Sequence, residues 1–155
     1  RGATIRLTAP LRMPAETELD GGCARVRLTG APETTLLLIR DVSNVVVRRL
    51  SFAKEDYDPT SKTARDAIML NGRFTGVILD GNRFSRCGDG CIDATHVTAG
   101  ARATISRNLF TDHNKVMLFG NNPCVRPDRA AGCDQPLDRA PAGPLEIMAE
   151  ITLWN

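Results

Sequence analysis

Aromatic residues are scarce in this sequence, neither sign of charge is in excess, and no long apolar run occurs. Aromatic residues make up 5% of the 155 residues, and 20 Lys plus Arg stand against 18 Asp plus Glu, a formal net charge of +2. This balance excludes the strongly basic surface of a sequence-independent nucleic-acid binder. The longest aliphatic runs, residues 36–39 and 45–47, are far shorter than the roughly 18 apolar residues of a membrane helix. We therefore expect neither a nucleic acid nor a membrane as partner.

The five cysteines form two close pairs and leave Cys23 alone. Cys124 and Cys133 flank a polar loop that a disulfide could close, adding about 2–3 kcal/mol of stability and indicating an oxidising compartment. A reduced pair is an equal alternative. For Cys87 and Cys91 we expect two small buried thiols. Spacings of four and nine residues do not suit a structural zinc site.

Short aliphatic and β-branched runs recur along the chain between Gly, Asn and Asp residues, whereas helical periodicity is hard to find. The sequence therefore predicts an all-β fold. Five prolines interrupt residues 121–144, which we interpret as an inserted loop. The predicted strands cover residues 4–7, 25–28, 36–39, 45–47, 67–70, 77–79, 103–105, 116–119 and 151–153.

Three segments repeat one pattern of an aliphatic triplet, a polar turn and a closing Phe. They are NVVVRRLSF at 44–52, GVILDGNRF at 76–84 and RATISRNLF at 102–110. The intervals of 32 and 26 residues leave room for two or three short strands per repeat, and two-residue hairpin turns are mostly absent. This pattern favours coils of a parallel β-helix, in which like residues stack between neighbours. An antiparallel sandwich is the second alternative.

Asn82 and Asn108 occupy the same turn position in two of these repeats. We expect their amides to stack and hydrogen-bond along a ladder. In the first repeat, Arg49 or Leu50 stands at the corresponding place, so the ladder would end there.

Acidic residues fall at the edges of the predicted strands, at Asp66, Asp80, Asp89 and Asp93. If Asp66 and the Asp89/Asp93 pair lie on adjacent coils, three carboxylates could converge within about 5 Å, the spacing between neighbouring strands. Like charges at that distance need a cation, and a set of oxygen ligands suits calcium. Taken singly, an Asp in a Gly-rich turn is more often a turn former.

Several of these segments together resemble the pectate lyases of polysaccharide lyase family 1. NVVVRRLSF, DAI, VILDGNRF, DGCID and DHNKVML occur in the family's order and resemble its NVIIRNL, DAI, vWIDHxxF, DGLxD and DHxKVML segments. The resemblance spans about residues 3–120. It implies a right-handed parallel β-helix, with residues 1–155 forming a single partial domain that is incomplete at one or both ends.

The resemblance also implies roles for individual residues. Asp66, Asp89 and Asp93 match the family's calcium ligands, and Lys115 matches the lysine that contacts the substrate carboxylate. Asp80 matches an acid of a buried hydrogen-bond network outside the metal site.

Other positions depart from the family pattern. Ile78 and Gly81 replace a Trp and a His beside Asp80, and Ala64 replaces a further acid of some members, so the cage would have one ligand fewer. The family's catalytic base is an arginine in an RxPR segment that these 155 residues do not contain. We therefore expect the base beyond Asn155, and the chain to be a fragment.

The function implied by this resemblance is calcium-dependent β-elimination of α-1,4-polygalacturonate (pectate), giving unsaturated oligogalacturonates, by a secreted, extracellular monomer. The alternative is a non-catalytic β-helix that binds an acidic polysaccharide. A pectin lyase, which acts on neutral methylated substrate without calcium, is disfavoured because Asp66, Asp89 and Asp93 are all retained.

Overall fold

Parallel strands form the part of the chain described by the computed structural model. The described residues are 2–61, 63–97, 100–119 and 150–154, the last by backbone alone. Every strand pairing among them is parallel. The strands are β1 (Ala3–Leu7), β2 (Leu11–Arg12), β3 (Thr17–Asp20), β4 (Val26–Gly30), β5 (Leu37–Arg40), β6 (Ser43–Arg48), β7 (Ser51–Lys54), β8 (Ile68–Gly72), β9 (Thr75–Asp80), β10 (Arg83–Val97), β11 (Arg102–Ser106), β12 (Leu109–Phe119) and β13 (Glu150–Trp154).

The strands stack into three columns, which makes the fold a parallel β-helix of about four turns. The first column contains β2, β5, β8 and the later halves of β10 and β12, and the second contains β3, β6, β9, β11 and β13. The third contains β1, β4, β7 and the earlier halves of β10 and β12. The predicted β-helix is thus confirmed, and parallel pairing throughout excludes the antiparallel sandwich.

The core is built from the aliphatic triplets of the repeats. Val45, Val77 and Ala103 are register partners along the second column, and all three side chains are buried. Strand side chains alternate in direction, so the triplet sends its first and third members inward and its second outward. Each buried aliphatic side chain contributes about 1.5–3 kcal/mol relative to an exposed one.

The three closing phenylalanines stack inside the third column. Phe84 is the register partner of both Phe52 and Phe110, and each neighbouring pair of rings is stacked with centroids 5.0 Å apart. The repeat alignment read from the sequence is therefore the register of the structure.

The two asparagines hold the turn between the second and third columns, although not by the amide-to-amide ladder that we predicted. The Asn82 side chain donates to Val47 O (2.9 Å) and accepts from the Leu50 N–H (3.2 Å), both on the preceding coil. Asn108 likewise donates to Leu79 O (2.8 Å) and accepts from the Asn82 N–H (2.9 Å). Each amide thus satisfies backbone groups that the turn leaves unpaired.

The residue before each of these turn positions adopts the left-handed conformation. Its φ is 56° at Arg49, 61° at Gly81 and 53° at Arg107. Glycine takes this conformation without strain, whereas arginine does so only because the surrounding coils fix the turn.

Two predictions fall outside the described residues, namely the proline-rich loop at 121–144 and the pairing of Cys124 with Cys133. In the described part of the chain, no helix has the length and apolar character needed to cross a membrane.

Candidate acidic site

The candidate site lies at the turn that leads from the third column to the first. On successive coils this turn comprises residues 31–36, residues 55–61 with 63–66, and residues 86–90, the last of these within β10. Backbone hydrogen bonds join the coils at its end, from Leu36 N to Ala67 O (3.1 Å) and from Ala67 N to Gly90 O (3.1 Å). This stacking brings Asp66, next to Ala67, against the following coil.

Two of the three predicted calcium ligands converge on Gly90. Asp66 Oδ1 accepts from the Gly90 N–H at 3.0 Å. A Cβ added to Gly90 would overlap Asp93 Oδ1 and lie 3.1 Å from Asp66 Oδ1, so both carboxylates press on this residue. Asp66 is 5% exposed and Asp93 6%. Glycine is required here because no other residue lets two carboxylates approach the backbone so closely.

Burial makes ionisation of these two acids unfavourable. It raises the pKa of Asp66, against the opposing hydrogen bond from Gly90. Burial, followed by the charge of Asp66, raises the pKa of Asp93 to about 7. Asp93 Oδ1 is buried and has no hydrogen-bond partner among the described residues. An unsatisfied buried carboxylate oxygen next to a second carboxylate is an arrangement that a cation would stabilise.

The third predicted ligand, Asp89, is engaged by Lys115. Lys115 Nζ lies 2.5 Å from Asp89 Oδ1, and Lys115 is the register partner of Gly90 on the next coil. The hydrogen bond to Asp89, followed by its charge, raises the pKa of Lys115. Over the described ranges, no group of three or more His, Cys, Asp or Glu side chains is arranged to hold a metal ion. The structure thus brings two acids together and places the third on the lysine.

The donor atoms of this site are of the type that binds hard cations. Asp66 and Asp93 offer only carboxylate oxygens, which calcium prefers, and one of these oxygens has no hydrogen-bond partner in the described part of the chain. The position of the missing fourth acid is closely packed. Ala64 is 6% exposed, and a Cβ added to Gly88 would overlap its methyl group, so the coil of Gly88 packs closely against Ala64.

Cys87 and Cys91 form a disulfide, so the expectation of two free thiols was wrong. Four residues of regular strand would separate their Cα atoms by about 13 Å. The register of β10 shifts between Cys87 and Gly90, and the Cα atoms are 5.1 Å apart. Both cysteines are fully buried, as predicted. Their bond closes the short turn that presents Asp89.

Asp80 lies away from the acidic site, at the end of β9. Its carboxylate accepts from Ser106 Oγ at 2.7 Å and from Arg107 Nε at 2.8 Å. The hydrogen bond from Arg107, followed by that from Ser106, lowers its pKa. Asp80 therefore belongs to a hydrogen-bond network at the second column, where it is partly buried.

Sequence reasoning missed Lys54, the last residue of β7, which is 1% exposed and lies close enough to Asp66 for their charges to interact. Its Nζ donates to Thr34 O, within the turn that bonds to the coil of Asp66. Burial lowers the pKa of Lys54 to about 8, against the charges of Asp66 and Glu33. A signal was present, because strand alternation places Lys54 on the same inward side as Phe52.

Comparison with known proteins supports the resemblance found in the sequence, although no family model matches. The chain is 33% identical to "Probable pectate lyase 4" of Arabidopsis thaliana, over 83% of this chain and 33% of that protein. It is 31% identical to "Pectate lyase 1" of Cryptomeria japonica, over 81% of this chain and 36% of that protein. The chain therefore spans about a third of the length of these relatives.

A solved structure shares the fold. The crystal structure of jun a 1, the major allergen from cedar pollen, superposes with a TM-score of 0.53 at 20% identity. The match covers 77% of this chain and 49% of that one.

Proposed function

Because the chain is a homologue of plant pectate lyases, we propose that it binds polygalacturonate through calcium held at the acidic site. The observation that carries the proposal is the convergence of Asp66 and Asp93 on Gly90, with one buried carboxylate oxygen lacking a partner among the described residues.

Each side chain of the site has a role in this proposal. Asp66 and Asp93 hold the ion, and Asp89 is the third ligand that the family resemblance implies. Lys115 is half exposed beside them, so its ammonium can pair with a uronate carboxylate. When bound, calcium would withdraw charge from that carboxylate and make the sugar's C5 proton more acidic, as a Lewis acid does.

Turnover needs a base in addition. The resemblance implies an arginine in an RxPR segment, and these 155 residues have no such segment. We assign the base to no residue of this chain, and we propose β-elimination to unsaturated oligogalacturonates for a protein that has that arginine. The second candidate, a non-catalytic binder of acidic polysaccharide, is favoured by the same observation.

The setting that we propose is extracellular, with the protein secreted as a monomer. The disulfide between Cys87 and Cys91 supports an oxidising compartment.

The test is a calorimetric titration of oligogalacturonate into the protein, with calcium and then with a chelator. We expect affinity to fall at least about tenfold on chelation, and the calcium-dependent part to disappear in Asp66→Asn. Equal affinity in calcium and in chelator would overturn the metal assignment. Release of the unsaturated product, followed by its ultraviolet absorbance, separates a lyase from a binder.

A further inference from the structure

A cleft lined by four arginines lies on the third column, away from the acidic site. Its volume is about 800 Å³, and it runs from β1 across β4 and β7 to the start of β10. No acidic and no aromatic side chain lines it among the described residues. The arginines are Arg25, Arg27, Arg49 and Arg83, and small residues such as Gly2, Ala24 and Gly81 leave the space between them.

Strand register explains how two of the arginines face the cleft. Arg27 and Arg83 are both register partners of Ser51, on the strands at either side of it. Arg27 precedes the buried Leu28 and Arg83 precedes the buried Phe84, so strand alternation turns both arginines outward. Two strand spacings separate Arg27 from Arg83 by about 10 Å.

Three of the four guanidinium groups are available to a ligand. Arg49 is already paired, through its Nε to Asp20 Oδ1 at 2.8 Å. Arg25, Arg27 and Arg83 are exposed and form no ion pair or hydrogen bond through their side chains with any described residue. Adjacent cations without counter-charges repel one another, and an anion that spans them would relieve this repulsion.

We propose that this cleft is an accessory binding site for an acidic polysaccharide, and that it works without a metal. The guanidinium fork matches the geometry of a carboxylate, and a spacing of about 10 Å suits a linear polymer with repeated carboxylates better than a single small anion. A nucleic acid is disfavoured, because the described lining offers no aromatic ring on which a base could stack. In taking polygalacturonate as ligand, the inference rests on the proposed function.

The experiment measures oligogalacturonate binding in chelator, where the acidic site has no calcium. The parent is compared with Arg27→Gln/Arg83→Gln, and with Arg73→Gln/Arg102→Gln, which removes the same charge from exposed positions outside the cleft. We expect the cleft variant to bind about 10- to 30-fold more weakly and the control variant to bind like the parent. Circular dichroism checks that both variants keep the fold.

Three results would overturn the inference: no binding by the parent in chelator, equal affinity of parent and cleft variant, or equal losses in cleft and control variants. Single-stranded DNA of similar length that binds the cleft as tightly as the sugar would overturn the choice of polysaccharide. Asp66→Asn/Asp93→Asn separates the two proposals. If this variant still binds oligogalacturonate in chelator, the result supports the cleft, whether or not the parent shows any calcium-dependent binding.

Discussion

The acidic site and the arginine cleft share strand β10, yet they hold charge in opposite ways. Asp93 is 6% exposed, and burial raises its pKa to about 7. Arg83, ten residues earlier, is exposed and pairs with no described residue. A buried charge requires a partner within coordination distance, whereas an exposed charge is solvated and attracts its partner from afar. Under the two proposals, one strand presents two sites for one polymer, and binding depends on a metal ion at the first and is weakened by salt at the second.

The largest effect that we expect concerns Asp93. Asp93→Asn keeps an oxygen donor but removes a charge, so calcium affinity falls about 100-fold in a calorimetric titration. The same substitution is expected to increase the free energy of unfolding in chelator. Because the folded-state pKa of about 7 lies above the ordinary 3.8, ionised Asp93 destabilises the fold above pH 7, and this cost disappears as pH falls towards 4.

Urea unfolding in chelator above pH 7 measures the second effect. We expect Asp93→Asn to be more stable than the parent by about 1–2 kcal/mol, after allowance for solvent screening. Asp89→Asn is the control, since Asp89 is half exposed and its loss leaves Lys115 without a partner. A variant no more stable than the parent would contradict the account of Asp93 as a strained buried charge.

The next effect concerns the scaffold under the cleft. Asn82→Leu introduces the residue that stands at the same turn position one coil earlier, Leu50. It leaves Val47 O and the Leu50 N–H without their side-chain partner, so we expect the free energy of unfolding to fall by about 3 kcal/mol.

Asn108→Leu is the matched control for Asn82→Leu. Asn108 is only half buried, so water can replace its amide, and we expect a loss of about 1 kcal/mol. Denaturant unfolding measures both variants. Equal losses of stability would mean that burial does not determine how much each asparagine stabilises the turn between the second and third columns.

The repeats predicted the fold because each copy of the repeated pattern corresponds to one turn of the β-helix. Phe52, Phe84 and Phe110 are aligned by the sequence pattern and stacked by the register. The site was predictable only in part. The DAI and DGCID segments point to the acids, but the pairing of Asp89 with Lys115 depends on side-chain directions that no segment specifies.

Non-local contacts account for the features that the sequence did not predict. To predict the disulfide, one would have to know of the irregular turn inside β10, and a spacing of four residues does not reveal that turn. The arginine cleft unites Arg27 with Arg83, which are 56 positions apart and become neighbours of Ser51 only through register. Such pairings follow from coil lengths, which vary from one turn of this chain to the next.

The last effect tests the buried lysine whose charge interacts with Asp66. The folded-state pKa of Lys54, about 8, lies below its ordinary 10.5, so between these values the folded state binds fewer protons than the unfolded state. Stability conferred by this group therefore rises with pH across that window, by about 2 kcal/mol. Lys54→Met removes the titration, so the stability of the parent relative to this variant should rise from pH 8 to 10.5. Arg27→Gln/Arg83→Gln is the control, because both substitutions are on the exposed surface and leave Lys54 in place, so its pH profile should follow the parent's. Parallel profiles for the parent and Lys54→Met would mean that Lys54 is solvated like the cleft arginines, and the contrast between the two regions would then hold for the carboxylates alone.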